Sequence, residues 1–239
     1  MLGPFAIAVL ALIAFVVIEL RTREPLLDLS LLRNRSFAGL MIAGMLLSVG
    51  AFAHLTYTSI WLQSVLGLSP IKAGLAVSPL ALTAFVVAGF GGKRLGRMAP
   101  RWPICIGLAL MGGGTLALML VGGGSTWSAL VPGLLIAGVG VGMCTPVLTS
   151  AAMAAVPQKL AGMAGGALNT FRQLGYALGI AVLGTVFTSA ASSSAHPGAA
   201  MRETVATNLD HVFAAAGGAG LVAAAVVFIL VRRSANKAG

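Results

Sequence analysis

The sequence predicts an all-α, polytopic membrane protein with seven transmembrane helices. Three observations carry that prediction. The chain is 58% hydrophobic and only 8% charged, with a mean hydropathy of +1.00, whereas a soluble domain is about 25% charged. The apolar residues fall in seven runs of about 19 or more residues, each long enough to cross a ~30 Å hydrocarbon core with some tilt. Basic residues collect in the short gaps between alternate runs.

The runs cover 2–20, 36–62, 70–90, 103–121, 129–153, 162–187 and 212–231. A backbone in lipid must satisfy its own hydrogen bonds, so helices are the economical choice. The ~10-residue alternating segments of a membrane barrel do not occur. The chain thus divides into an extra helix (1–20), a linker (21–35), a six-helix unit (36–232) and a short tail (233–239). The first run begins at Met1 without a basic segment. Glu19-Leu20-Arg21 stands where a small-residue cleavage site would lie, so no signal peptide is expected.

The linkers set orientation. Arg21, Arg23, Arg33 and Arg35 follow the first run; Lys93, Arg94, Arg97 and Arg101 follow the third. Lys159 follows the fifth, and Arg232, Arg233 and Lys237 follow the seventh. These gaps hold 12 of the 15 Lys and Arg residues, leaving Lys72, Arg172 and Arg202. Such a bias places the N-terminus outside and the C-terminus in the cytoplasm of a cell membrane. The net charge of +10 is therefore a topology signal and gives no reason to expect nucleic acid.

The linker RTREPLLDLSLLRNR carries five leucines between arginines. It reads equally as a short interfacial helix or as an apolar connection packed under the bundle. The second run holds His54, Thr56, Tyr57, Thr58 and Gln63. A histidine there serves either to relay protons or simply to bond a neighbouring helix. Trp61, Trp102 and Trp127 lie at run boundaries, where an aromatic belt forms.

The fifth run, LLIAGVGVGMCTPVLTSAAM, has Gly138 and Gly142 four apart and Pro146 in its interior. The glycines allow close helix approach, and the proline frees the Gly142 carbonyl and kinks the helix. The outer loop 189–210 is Ala/Ser-rich and is expected to be mobile at its start.

The sixth run is the most informative. Asn169, Arg172, Gln173 and Tyr176 fall at i, i+3, i+4 and i+7, one face of a helix. Gly162 and Gly166 form one small-residue pair, and Gly175 and Gly179 another. Arg172 lies roughly 16 Å along the helix from its start, near mid-membrane. There an arginine costs ~2.5–3.5 kcal/mol. Either it snorkels to the cytoplasmic interface, or it faces protein or water and has a partner.

Enzymatic chemistry is missing. No GxSxG, Walker or HExxH motif occurs. Cys105 and Cys144 lie in apolar runs and read as small buried hydrophobes, with neither disulfide nor metal set. No cofactor is expected. The five acids, Glu19, Glu24, Asp28, Glu203 and Asp210, avoid the span interiors. Arg172 thus lacks an evident carboxylate partner; a carbonyl, an anion, Glu19 or another polypeptide remains. Only His54 is left to carry a proton within a span. An outside N-terminus with seven helices also matches receptors and rhodopsins, but the last run has no lysine for retinal.

Four segments resemble the C-terminal half of a major facilitator superfamily transporter, in its fourteen-helix drug:proton antiporter branch. They are EPLLDLSLLRNRSFAG (24–39), WLQSVLGLSPIKAGLAVSPLAL (61–82), PGLLIAGVGVGMCTPVLTSAAMAAVP (132–157) and AGMAGGALNTFRQLGYALGIAVLGTV (161–186). GGKRLGRMAPR (91–101) resembles the family's cytoplasmic gating loop. Arg97 and Arg101 stand at its basic positions, with Gly96 in place of the usual acid.

The resemblance implies multidrug efflux of small amphipathic or cationic compounds, driven by protons, with the N-terminal half lying elsewhere. The chain is then a truncated product, a fragmentary gene or one piece of a split system. His54, Tyr57, Asn169, Arg172, Gln173 and Tyr176 would face the substrate cavity or the seam between halves. Arg97 and Arg101 would act at the cytoplasmic gate. The alternative is a non-transporting membrane subunit or interaction module.

Overall fold

The computed structural model describes residues 10, 14, 17–18, 29–120, 126–191 and 199–231, apart from the side chains of residues 29–30, 93, 188–191 and 199–206. Among the described residues all regular structure is helical. After a short 3₁₀ turn at Leu29–Arg33, six long helices follow: α1 (Arg35–Ser64), α2 (Pro70–Leu95), α3 (Arg101–Ala117), α4 (Val131–Ala154), α5 (Ala161–Ala191) and α6 (Ala199–Leu230). Each is long and apolar enough to cross a membrane. The described residues therefore hold six spans rather than the expected seven. The first predicted span, most of the first linker and the tail lie outside them.

Helix starts and stops follow local chemistry. Asn34 caps α1, its side chain accepting from the Ser36 N–H at 3.0 Å. Past the end of α1 the chain turns at Gly67, whose φ of 65° is the one positive value among the described residues. The Leu68 N–H then reaches back to the Leu62 carbonyl at 3.1 Å. Two residues later α2 starts with Ser69 as cap and Pro70 in its first turn. Pro79 interrupts the ladder of α2, and the Ser78 hydroxyl donates to the carbonyl that Pro79 leaves free, that of Leu75, at 2.8 Å.

The region expected as an outer loop between the last two spans is shorter than predicted, because α6 is already helical from Ala199. Its early residues read as loop by their low hydrophobicity. They nonetheless extend α6 beyond its apolar part, and Asn208 and Leu209 are buried.

α3 packs on α4 and α6, α1 on α5 and α6, and α2 on α4. Small residues set the spacing, since lipid gives apolar side chains little reason to leave it. A Cβ on Gly107 of α3 would lie 2.7 Å from the Gly140 carbonyl of α4. On Gly112 it would lie 2.8 Å from the Gly217 carbonyl of α6.

The interior divides into two apolar clusters. One holds Phe37, Leu40, Met41, Ile104, Leu108 and Leu148; the other holds Trp61, Leu62, Leu118, Leu134, Leu183 and Phe213. They meet where α1 widens into a π-helical stretch at Val49–Ala53. The looser winding disturbs the i to i−4 ladder. Thr115 of α3 donates to the Gly50 carbonyl there at 3.1 Å.

Candidate functional site

Two of the cavities along the bundle adjoin Arg172. The first, about 560 Å³, lies between α1 and α5 and is lined by Ser48, Phe52, Leu55, Thr56, Asn169, Arg172, Gln173 and Tyr176. The second, about 540 Å³, is walled largely by α2 and α4, with Ala84, Ala88, Val141, Thr145, Pro146 and Met153 among its residues. Phe52 and Arg172 line both. Volumes of about 300–1,000 Å³ are usual for small-molecule sites.

The sequence-predicted face of α5 assembles as one wall. Asn169, Gln173 and Tyr176 are exposed, and Arg172 is half-buried. Gly44 of α1 makes room for the arginine: a Cβ there would come within 3.3 Å of its Cγ and 2.6 Å of Leu168. The aliphatic stem thus passes α1 where α1 has no side chain, and Arg172 lines both cavities. Among the described residues no carboxylate lines either cavity.

Gly175 and Gly179 are buried on the flank of α5 beside Arg172, where α5 meets α1. A Cβ on Gly175 would collide with the Met45 backbone, and one on Gly179 would lie 2.8 Å from Ala53. Gly138 and Gly142 bring α4 against α2, where their Cβ atoms would lie 2.5 Å from the Leu80 and Ala84 carbonyls. Pro146 is accommodated inside a continuous α4. Gly162 and Gly166, expected to form a packing pair, have nothing within 4 Å and pack against no neighbour among the described residues.

His54 and Tyr57 line neither cavity. They belong to a different stripe of α1, with Thr58 and Trp61, and that stripe is buried. The His54 ring is fully enclosed and meets Phe213 of α6 edge-on at 5.8 Å. The Tyr57 hydroxyl donates to the Ile180 carbonyl of α5, and its ring packs on Phe187. The Tyr57 hydroxyl therefore ties α1 to α5, whereas both His54 ring nitrogens are buried with no hydrogen bond to a neighbouring helix among the described residues.

The paired arginines also part company. Arg97 is exposed in the turn between α2 and α3. Arg101 opens α3 with its guanidinium 3.9 Å from the centre of the Phe228 ring, where Trp102 also meets Phe228. Cation–π stacking anchors Arg101 to α6.

Sequence reasoning missed Gly44, Ser48 and Phe52, and it named Thr56 among the polar residues of its run without assigning it to the cavity. The four recur every four residues along α1, a phase that marks a second helix face. Cys105 and Cys144 are buried free thiols. No metal-binding cluster occurs among the described residues.

Known proteins share this sequence pattern. The chain is 34% identical over 183 residues to the multidrug resistance protein Stp of Mycobacterium tuberculosis (strain ATCC 25618 / H37Rv), covering 77% of this chain and 34% of that protein. It is 28% identical over 185 residues to the multidrug transporter protein MdtP of Bacillus subtilis (strain 168), with the same shares covered. It is 30% identical over 187 residues to the multidrug efflux pump LfrA of Mycolicibacterium smegmatis, covering 78% of this chain and 37% of that protein. The chain thus spans about a third of the length of these curated relatives. The family profile described as Major Facilitator Superfamily matches residues 2–180 of the 239. With six apolar membrane-length helices and that match, the chain is a multi-pass membrane protein that belongs to the Major Facilitator Superfamily.

Proposed function

We propose that this chain is the C-terminal half of a proton-coupled multidrug efflux antiporter and acts together with an N-terminal half. One observation carries the reading. The exposed middle of α5 presents Asn169, Arg172, Gln173 and Tyr176 along a membrane-length helix. Such a face is costly against hydrocarbon and must meet water or protein. A substrate path closed by a second body supplies both. The chain's length relative to its relatives supports the same reading, as do the names of those relatives.

In this arrangement the C-terminus is cytoplasmic and the N-terminus outside, because 12 of the 15 Lys and Arg residues fall in alternate linkers. The substrate is a small amphipathic compound that enters the paired cavities. The protein performs no covalent chemistry; it alternates access to the cavity. The proton-carrying group belongs to the other half, since the described cavity walls hold no acid. Arg97, exposed at the inner end of α2, is the arginine available to a cytoplasmic gate.

Complementation of a pump-deficient bacterium tests this reading. The chain is expressed alone, co-expressed with the N-terminal half of the Mycobacterium tuberculosis relative, and co-expressed as the Arg172→Ala variant. The expected result is membrane insertion in every case and drug protection only with the second half and Arg172 present. Full proton-driven efflux by the chain alone overturns the need for a second half. Stable pairing without any transport favours the non-transporting membrane subunit.

A further inference from the structure

We infer that the ligand of this site is an amphipathic molecule with an anionic or strongly hydrogen-bond-accepting group. That group sits against Arg172, and the apolar body lies in the cavity between α2 and α4. The inference rests on reading the cavities as a substrate site, and it narrows that reading from small amphipathic compounds in general.

The two cavities differ in chemistry. The α1/α5 cavity is lined by the hydroxyls of Ser48, Thr56 and Tyr176 and the amides of Asn169 and Gln173. The α2/α4 cavity is walled by Ala84, Ala88, Val141, Pro146 and Met153 together with Thr145, Thr149 and Ser150, and the last two donate their hydroxyl protons to carbonyls of α4 itself. Arg172 and Phe52 stand where they join. A molecule with one polar end and one apolar body fits that sequence of surfaces, with the guanidinium at its waist.

Charge decides which polar end. Arg172 is the one charged residue lining either cavity among the described residues. Its guanidinium offers five N–H donors in a planar fork, with no acceptor. A cationic ligand would meet repulsion there, strengthened by the low dielectric, and no counter-charge on these walls. A carboxylate, phenolate or carbonyl-rich edge finds donors matched to it. The Phe52 ring at the same junction offers an aromatic face to the apolar body. The absence of a side chain at Gly44 leaves room for the arginine stem beside α1.

The test uses the full chain in lipid nanodiscs and two probes with one apolar body and opposite charge, 2-naphthoate and 2-naphthylmethyltrimethylammonium. Binding is measured by titration calorimetry, with empty nanodiscs subtracted. The wild-type chain is expected to bind naphthoate at least tenfold more tightly than the cation. Arg172→Gln should erase that preference, and Arg172→Lys should keep part of it. Phe85→Leu, on the outer face of α2, should leave it unchanged. Size-exclusion profiles identify any variant that fails to fold, and Arg172→Lys keeps the test decisive if Arg172→Gln does. Equal or tighter binding of the cation overturns the charge assignment but leaves the cavities as a ligand site. A preference that persists in Arg172→Gln overturns the role of the arginine. No binding of either probe above empty nanodiscs overturns both the inference and the site on which it rests.

Discussion

α2 and α5 are equally bare. In each, 17% of the most apolar window is buried, the lowest share among the six long helices. Their exposed faces are chemically opposite. α2 turns Ile71, Leu75, Leu82, Phe85 and Phe90 outward, whereas α5 turns out Asn169, Thr170, Gln173 and Tyr176 beside Leu174, Leu178 and Val182. Exposure alone does not say what covers a helix in a membrane; the chemistry of the exposed face does. The α2 face is suited to lipid. The α5 face is suited to water or to another polypeptide.

The two helices are also held by opposite arrangements of the same device. α2 rests in a notch made by Gly138 and Gly142 of its neighbour α4. α5 carries its own notch, Gly175 and Gly179, and presses it onto α1. The first arrangement leaves the side of α2 away from α4 free for large apolar residues. The second sets the small residues of α5 against α1 and leaves the adjoining face for polar ones.

The largest effect that would break this comparison comes from filling the α5 notch. Gly175→Leu places side-chain atoms in the Met45 backbone, and neither backbone can yield as a flexible side chain would. Overpacking usually costs about 1–3 kcal/mol, and a backbone-to-backbone contact belongs at or above the upper end. Gly162→Leu, with nothing within 4 Å, should stay within about 0.5 kcal/mol of wild type. Thermal midpoints of the two variants in detergent separate a notch from an unoccupied glycine pair. Equal midpoints would mean that Gly175 does not hold α5 on α1.

That contrast also shows what the sequence carried. Six of the seven expected spans are present among the described residues, because long apolar runs bounded by Gly, Pro and basic residues leave little choice of element. The polar face of α5 was legible from its spacing. On α1, residue type pointed to His54 and Tyr57, but helix phase separates them from Ser48, Phe52 and Thr56. Polar groups on a membrane helix are drawn to protein of either kind, a cavity wall or a neighbouring helix, and one sequence does not distinguish these. Gly44 and Arg101 were illegible for a different reason. Their roles depend on Arg172 and Phe228, 128 and 127 residues away respectively.

The next effect is an exchange of charge between the two faces. Leu82 is exposed in the middle of α2. Leu82→Arg should cost about 2.5–3.5 kcal/mol of insertion free energy, the value for an arginine at a helix centre. Arg172→Leu should make the isolated α5 segment insert more readily by a similar amount, while damaging transport in the paired protein. A glycosylation-based insertion assay on each segment reads the first quantity, and drug accumulation reads the second. If Leu82→Arg inserts and transports as well as wild type, α2 faces water or protein and the two helices are alike after all.

The smallest effect concerns the rotation of α5 about its own axis. The Tyr57 hydroxyl reaches across from α1 to the Ile180 carbonyl, one turn beyond Tyr176 on α5. Interhelical hydrogen bonds in membranes contribute about 0.6 kcal/mol on average and up to about 1.7. Tyr57→Phe should lower stability by an amount in that range, since the ring and its packing on Phe187 remain. Water-soluble maleimide labelling of Gln173→Cys, compared with Leu82→Cys, reports which faces meet water. If the glycine notch alone sets the rotation, Tyr57→Phe weakens the protein but leaves the labelling contrast intact. If the hydrogen bond helps to set it, labelling at position 173 falls toward that at position 82. The notch is a backbone-to-backbone approach and the hydrogen bond is a single weak tie, so the first outcome is expected: the notch fixes which face turns outward, and Tyr57 strengthens a choice already made by Gly175 and Gly179.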